Sequence, residues 1–299
     1  MKGLIFPFII TLVALHSCEP ELVVTKLPVA SFSSQKFVTL GNSVTFKDNS
    51  SNNPSVWFWD FGDNTFSNLQ NPEHTYLNPG VYTVKLTILN NAGIDSIRKS
   101  NLIHIGLVDV DSNFYQVVKI GTQYWSAENL KVTRLNNGEP IDYLVDKESW
   151  GNHSTSAYCW YNDDPANSNP YGALYNGYAM NTDKLCPDGW IVPDFNNVQT
   201  LFDFLGGYGI SGGKLKAVSP LWNSSTTTPT NVTGFSAMPS GKRNPSGDGY
   251  LEMGGYAYIW MKKIPSNNYN CIQLLYNSNE ALYKSFVLTY GFSVRCIKQ

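Results

Sequence analysis

Cys186-Pro187-Asp188-Gly189-Trp190-Ile191-Val192-Pro193 organises the second half of this chain. Pro-Asp-Gly is turn chemistry: proline presets φ, aspartate bonds nearby backbone, and glycine accepts positive φ. Trp190 follows as a core anchor, and Asp194 is placed to cap a helix N-terminus. Val198, Leu201, Phe202 and Leu205 recur at i, i+3, i+4 and i+7, one apolar helix face. Gly206 and Gly207 supply a stop. Gly206-Gly207-Tyr208-Gly209 and Gly212-Gly213 together read as helix stop and turns, and Gly241-Lys242-Arg243-Asn244 as a hairpin-like turn. Far downstream the chain closes on Gly291-Phe292-Ser293-Val294-Arg295-Cys296.

A length of 299 residues leaves room for two domains. Hydrophobic content of 42% supports real cores, and aromatics at 14% against 15% charge point to a secreted, β-rich protein. A net charge of -2 with no basic run argues against nucleic acid as a partner.

Residues 1–18 read as a processing signal: Lys2 is the positive start, Leu4 to Leu15 the apolar core, Leu15-His16-Ser17-Cys18 the end. The core is too short to span a bilayer comfortably. The segment resembles a bacterial lipoprotein signal, whose lipobox ends in the cysteine that is acylated. That resemblance implies a palmitate-bearing Cys18 and an outer-membrane anchor. Glu19 and Glu21 resemble the acidic start of surface-exported lipoproteins, which implies the cell surface. Residues 19–28 read as a tether.

Residues 29–106 read as all-β, short runs rich in Val, Phe, Thr, Ile and Tyr between Gly, Asn and Pro turns. Val81, Thr83, Lys85 and Thr87 alternate against Tyr82, Val84, Leu86 and Ile88, the period of a half-buried strand. Trp59 and Phe61 should face the core, with Trp57 on the face of Trp59 and Phe58 on the other. Asp60 and Asp63 read as turn-capping carboxylates rather than metal ligands, and His74 as a structural residue. Three ordered motifs, Trp59-Asp60-Phe61-Gly62-Asp63-Asn64, Asn71-Pro72-Glu73-His74-Thr75-Tyr76 and Pro79-Gly80-Val81-Tyr82-Thr83-Val84, resemble the PKD domain. The resemblance implies an immunoglobulin-like β-sandwich.

Residues 107–113 read as a linker and 114–299 as a second domain. Gln123-Tyr124-Trp125-Ser126-Ala127-Glu128-Asn129-Leu130, Tyr171-Gly172-Ala173-Leu174-Tyr175-Asn176-Gly177, the Cys186–Pro193 run, Gly234-Phe235-Ser236-Ala237-Met238-Pro239 and the Gly291–Cys296 ending together resemble the bacterial major paralogous (FISUMP) domain. Members are similar to C-type-lectin-like folds. This implies an α+β domain of few helices and curled sheets, and an overall mostly β, two-domain chain. Ile191 departs from the family's usual His.

Setting Cys18 aside, Cys159, Cys186, Cys271 and Cys296 allow three pairings. The resemblance implies Cys186–Cys296, helix to C-terminal strand, which leaves Cys159–Cys271 by elimination. An oxidising compartment preserves such bridges. No C-x-x-C or H-x-x-x-H spacing occurs, so neither a metal nor another cofactor is expected. Nor is there a nucleophile elbow, P-loop or dinucleotide fingerprint, so a non-catalytic protein is expected. Formylglycine-generating enzymes share the lectin-like fold and use a reactive cysteine pair; two free thiols close together would revive an enzyme reading.

These features point to a lipid-anchored surface protein with the PKD domain as spacer and the lectin-like domain meeting a polysaccharide or a surface protein. Aromatic faces stack on sugar rings while Asn and Asp bond hydroxyls. Trp160, Tyr161, Asn162, Asp163, Trp222 and Trp260 are the candidate ligand residues on that logic. The alternative is a structural or assembly protein of the cell envelope.

Overall fold

The computed structural model describes residues 26–245, 249–265 and 270–299. The signal segment and Cys18 lie outside the described residues. The chain is mostly β, with an immunoglobulin-like β-sandwich followed by a second β-rich domain.

The first domain packs two sheets face to face. One holds Phe32–Ser34, Ser43–Asp48 and Glu73–Thr75; the other orders Phe37–Thr39, Gly93–Val108, Gly80–Asn90, Val56–Asp60 and Phe66–Ser67. The alternation in Gly80–Asn90 turns Val84, Leu86 and Ile88 inward against Phe32, Phe46, Trp59 and Phe61. Trp57 is half-buried, its indole N–H donating to Asp48 Oδ2 at 2.8 Å, and Phe58 faces out. In the Asp60–Thr65 turn, the Gly62 N–H donates to Asp60 and the Thr65 N–H to Asp63. Gly62 has φ +81, and a Cβ there would lie 2.3 Å from the Thr83 carbonyl oxygen. His74 Nε2 sits 2.8 Å from Asp63 Oδ2, with its ring stacked on Phe61.

Strand Gly93–Val108 runs directly into the second domain. It turns at Asp109 and pairs with Phe114–Tyr115. The buried Asp109 carboxylate accepts the Asp111 and Asn113 N–H groups and the Tyr115 hydroxyl, the last at 2.6 Å. Asp111 in turn accepts from Thr133 and Arg134. Leu107 and Tyr115 belong to one hydrophobic cluster shared by both domains. Lys298, near the C-terminus, donates to the Leu40 carbonyl at 3.1 Å. The junction is therefore held by strand pairing, packing and hydrogen bonds.

The second domain carries a nine-stranded and a four-stranded sheet. In the smaller one the terminal strand Ile297–Lys298 lies between Gln123–Ser126 and Trp190–Ile191. That position brings Cys296 to Cys186, and the two form a disulfide with Cα atoms 6.0 Å apart. Helix Phe195–Phe204 is capped reciprocally: Asp194 Oδ1 accepts the Asn197 N–H, and Asn197 Oδ1 accepts the Asp194 N–H. Val198, Leu201 and Phe202 are buried as their spacing requires.

Two expectations are corrected. Cys159 and Cys271 are free rather than bridged. Their strands, Ala157–Cys159 and Cys271–Leu275, have four others between them in sheet order, each step being about 4.8 Å. A disulfide needs Cα atoms within roughly 7 Å, so elimination gives the wrong partner. The glycine-rich stretch that follows Gly207 is a second helix, Tyr208–Leu215, rather than a turn. Its glycines serve close packing: a Cβ at Gly212 would lie 2.1 Å from the Glu280 carbonyl oxygen.

Candidate functional site

The sequence-derived ligand residues fall mostly into structural roles. Trp260 is fully buried, its indole N–H donating to the Tyr175 carbonyl at 2.7 Å. Trp222 is buried as well, bonded to the Ala237 carbonyl, with the Lys216 ammonium 5.4 Å from its ring centroid. Both rings serve the core and offer no face for a sugar. Tyr161 is buried against Tyr250. Asp163 accepts from the Tyr250 hydroxyl and from Arg243 Nη1 at 3.3 Å. Arg243 is itself buried, donating to the Leu144, Val145 and Asp146 carbonyls and lying over the Trp150 ring. This network fastens loop to sheet and uses up Asp163. Trp160 remains half-buried and Asn162 exposed, the latter at φ +55.

The two free thiols do not make a reactive pair. Burial pushes the Cys159 thiol up to about 11, with Arg243 opposing, and drives Cys271 well above its ordinary value. Each is fully buried, in a different hydrophobic cluster. The thiolate is the reactive species, so neither sulfur is a nucleophile at neutral pH.

A site the sequence did not disclose lies where the C-terminal strand meets the junction. Arg295 is fully buried. Its Nε donates to Asn129 Oδ1 at 2.6 Å. Nη1 donates to the Ser126 and Phe235 carbonyls at 2.9 and 2.6 Å, and Nη2 to the Ser236 carbonyl at 3.0 Å. All four acceptors are neutral, and among the described residues Arg295 forms no ion pair. Burial lowers its pKa to about 9, opposed by the nearby Glu128 charge.

The surrounding residues hold that guanidinium still. Asn129 donates through Nδ2 to the Tyr171 carbonyl and to Ser293 Oγ. Ser236 adopts the left-handed φ of +54. Asn231 enforces it by accepting the Ser236 N–H at 2.8 Å and donating to its hydroxyl at 2.9 Å. Such backbone costs persist where the surroundings over-determine them. The Phe235 ring lies 4.6 Å from the guanidinium carbon.

Arg295 lines an open cavity of about 290 Å³. Glu128, Lys131, Gln116, Ser168, Asn169 and Ser236 are among its walls, and it contains no His or Cys. Desolvation raises the Glu128 pKa, against the pull of Arg295 and Lys131. The candidate loop reaches this cavity indirectly. Asn167 Nδ2 donates to the Tyr161 carbonyl at 2.8 Å, and Ser168 and Asn169 follow. Chemically the arrangement is a polar receptor with a fixed cation. The one sequence signal for it was an arginine between Val294 and Cys296, a charge inside an apolar run.

Residues 118–298 match the family described as the Fibrobacter succinogenes major domain, and residues 25–105 match the PKD domain. Among solved structures, the PKD1 domain of Vibrio anguillarum Epp is 26% identical, covering 27% of this chain and 98% of its own, with a TM-score of 0.25. The PKD1 domain of the Vibrio cholerae metalloprotease PrtV is 30% identical over 26% of this chain and 96% of its own, TM-score 0.23. A carbohydrate-binding module of the β-sandwich superfamily is 26% identical over 29% of this chain and 38% of its own, TM-score 0.26.

Proposed function

We propose, from a chain that belongs to the Fibrobacter succinogenes major domain family and carries a PKD domain ahead of it, a non-catalytic binding role at the cell surface. In this reading Cys18 is acylated and anchors the chain in the outer membrane. The PKD sandwich is a stiff spacer, and the C-terminal domain, C-type-lectin-like in kind, meets a glycan or a surface protein. The carrying observation is the open polar cavity walled by Gln116, Glu128, Lys131, Ser168 and Asn169, with the buried Arg295 guanidinium held behind it. The amide, hydroxyl and ammonium groups of Gln116, Asn169, Ser168 and Lys131 along its wall suit a polar ligand. The hairpin through Asp109, shared by both domains, supports the spacer role.

The test has two arms. A glycan array probed with the full chain should give binding that is lost when Ser168 and Asn169 are replaced by bulky leucines; no binding to any glycan removes the carbohydrate reading. Palmitate labelling in cells should disappear in Cys18→Ala, and protease shaving of intact cells should remove both domains. Labelling that survives Cys18→Ala, or domains protected from the protease, removes the surface-anchored part.

A further inference from the structure

We propose that the glycan site is a groove across the domain junction, in which the PKD domain supplies a second, apolar subsite, and that its occupant is an oligosaccharide chain of several residues. This rests on the glycan reading above and gives the PKD domain a part in binding beyond that of a spacer.

Gln116 lines the polar cavity and also lines a pocket of about 170 Å³ against the first domain. Pro79, Val81, His104, Ile105, Phe114 and Val117 are among the other walls of that pocket. Ligand sites run from roughly 300 to 1,000 Å³. At about 290 and 170 Å³ each compartment alone falls short, and joined over Gln116 they reach that range. Gln116 is exposed, with its N–H spent on the Glu128 carboxylate and its carbonyl on the Ala127 N–H. Its side-chain amide is left for a ligand that passes from one compartment to the other. The apolar compartment is pre-formed. The Phe114 ring packs on Gly106, where a Cβ would lie 2.6 Å from Phe114 Cζ, and its centroid is 4.9 Å from that of Phe37. Val81 and His104 are cross-strand partners, and the His104 ring meets Phe114 edge-on at 6.0 Å. Phe114 and His104 are half-buried and Val81 is exposed, so apolar surface remains for a partner.

The backbone does not suit a peptide strand as the occupant. Such a peptide adds to an unpaired sheet edge. At His104 and Ile105 the strand already has partners on both sides, Phe37 and Val38 on one and Val81 and Gly80 on the other. Recognition therefore falls to side chains. A sugar ring turns C–H faces to aromatic and aliphatic surface and carries hydroxyls at its rim. The groove offers both kinds of wall in succession: Val81, His104 and Phe114, then Gln116, then Lys131, Ser168 and Asn169. Of the lining charges, Glu128 and Lys131 reach solvent, and they are opposite in sign. That balance favours an uncharged chain over a polyanion or a polycation.

The experiment is calorimetric titration of the full chain with cellohexaose, mannohexaose and xylohexaose, each beside its disaccharide, and with a hexapeptide of alternating Val and Thr. At least one hexaose should bind about tenfold or more tightly than its disaccharide, the worth of covering one further aliphatic side chain. Val81→Glu and Gln116→Ala should each remove most of that gain with length while leaving the urea midpoint unchanged. A gain that survives both variants, or a hexaose that binds no better than its disaccharide, confines the sugar to the second domain; this overturns the groove and leaves the glycan reading standing. The peptide binding as well as the sugars overturns the choice of occupant. No binding by any hexaose overturns the proposal, and a blank glycan array as well removes the reading on which it rests.

Discussion

Arg295 Nε and Asn129 Oδ1 are joined by a 2.6 Å hydrogen bond across 166 positions of sequence. The bond fixes the chain just ahead of the final strand to the segment that follows the interdomain hairpin, and it does so inside the core. Removing the amide in Asn129→Ala strands a buried charged donor and takes a donor from both the Tyr171 carbonyl and Ser293 Oγ. An unsatisfied buried group of this kind costs about 1–3 kcal/mol, more when charged. Urea unfolding should therefore show Asn129→Ala less stable by about 3 kcal/mol, with the loss in the second domain.

The Cys186–Cys296 bridge spans 110 positions. In the chain-entropy account, a closed loop near 100 residues contributes about 4.7 kcal/mol by restricting the unfolded chain, less any strain. The double variant Cys186→Ser with Cys296→Ser should lose about 4 kcal/mol. Reductant should destabilise the parent and leave that variant unaffected, as read from urea midpoints with and without dithiothreitol.

Cys159 and Cys271 should behave oppositely to the bridged pair. Both are buried and both thiols are driven upward by burial, Cys159 to about 11. Iodoacetamide at about pH 7.5 should leave both unlabelled in the native protein and label both in urea, mapped by peptide mass spectrometry. Native labelling of either would show that strand to be open.

The legible parts of this chain are those where local chemistry and tertiary structure agree. The Asp194 cap, the Val198–Leu201–Phe202 face and the Gly80–Asn90 alternation all follow from period and turn residues. Glycines mislead where packing rather than dihedral freedom selects them, as at Gly212 under the Glu280 carbonyl. Gly241-Lys242-Arg243 reads as a turn but is a strand, because buried Arg243 finds its acceptors in residues 144–146. Trp222 and Trp260 read as ligand platforms because a sequence does not distinguish a buried indole from an exposed one. The Arg295 cavity is illegible because its walls come from separated segments of the chain.

Acid should weaken the protein through Asp48, Asp63 and Asp111. Burial raises each carboxyl, but their hydrogen-bond donors outweigh it and hold each below 3.8: Ser50, Gln70 and Trp57 for Asp48, Thr65 and His74 for Asp63, Thr133 and Arg134 for Asp111. A depressed carboxylate contributes stability that is complete above its unfolded pKa and is lost as pH falls through the folded value. Urea midpoints should hold steady near about pH 6 and decline below about pH 4. Asp63→Asn should start lower and decline less.

Lys216 predicts a slope at the other end of the scale. It is fully buried, and its ammonium donates to the Leu275 and Ser278 carbonyls at 2.7 and 2.8 Å. Burial lowers its pKa from 10.5 to about 8. Between those values the unfolded chain keeps a proton that the folded chain has released, so this residue's contribution to stability rises with pH across that window. Buried and half-buried tyrosines act in the opposite sense. Tyr258 and Tyr283 are raised above 10 by burial, so their contribution falls once pH exceeds the unfolded tyrosine value. Lys216→Met leaves the carbonyls of Leu275 and Ser278 without that donor, which should cost about 2 kcal/mol at about pH 7.5. The variant should also lose the upward slope between about pH 8 and about 9.5 that the parent shows in urea midpoints. Equal slopes in the two proteins would mean that Lys216 keeps its proton in the fold, held by the carbonyls at its tip.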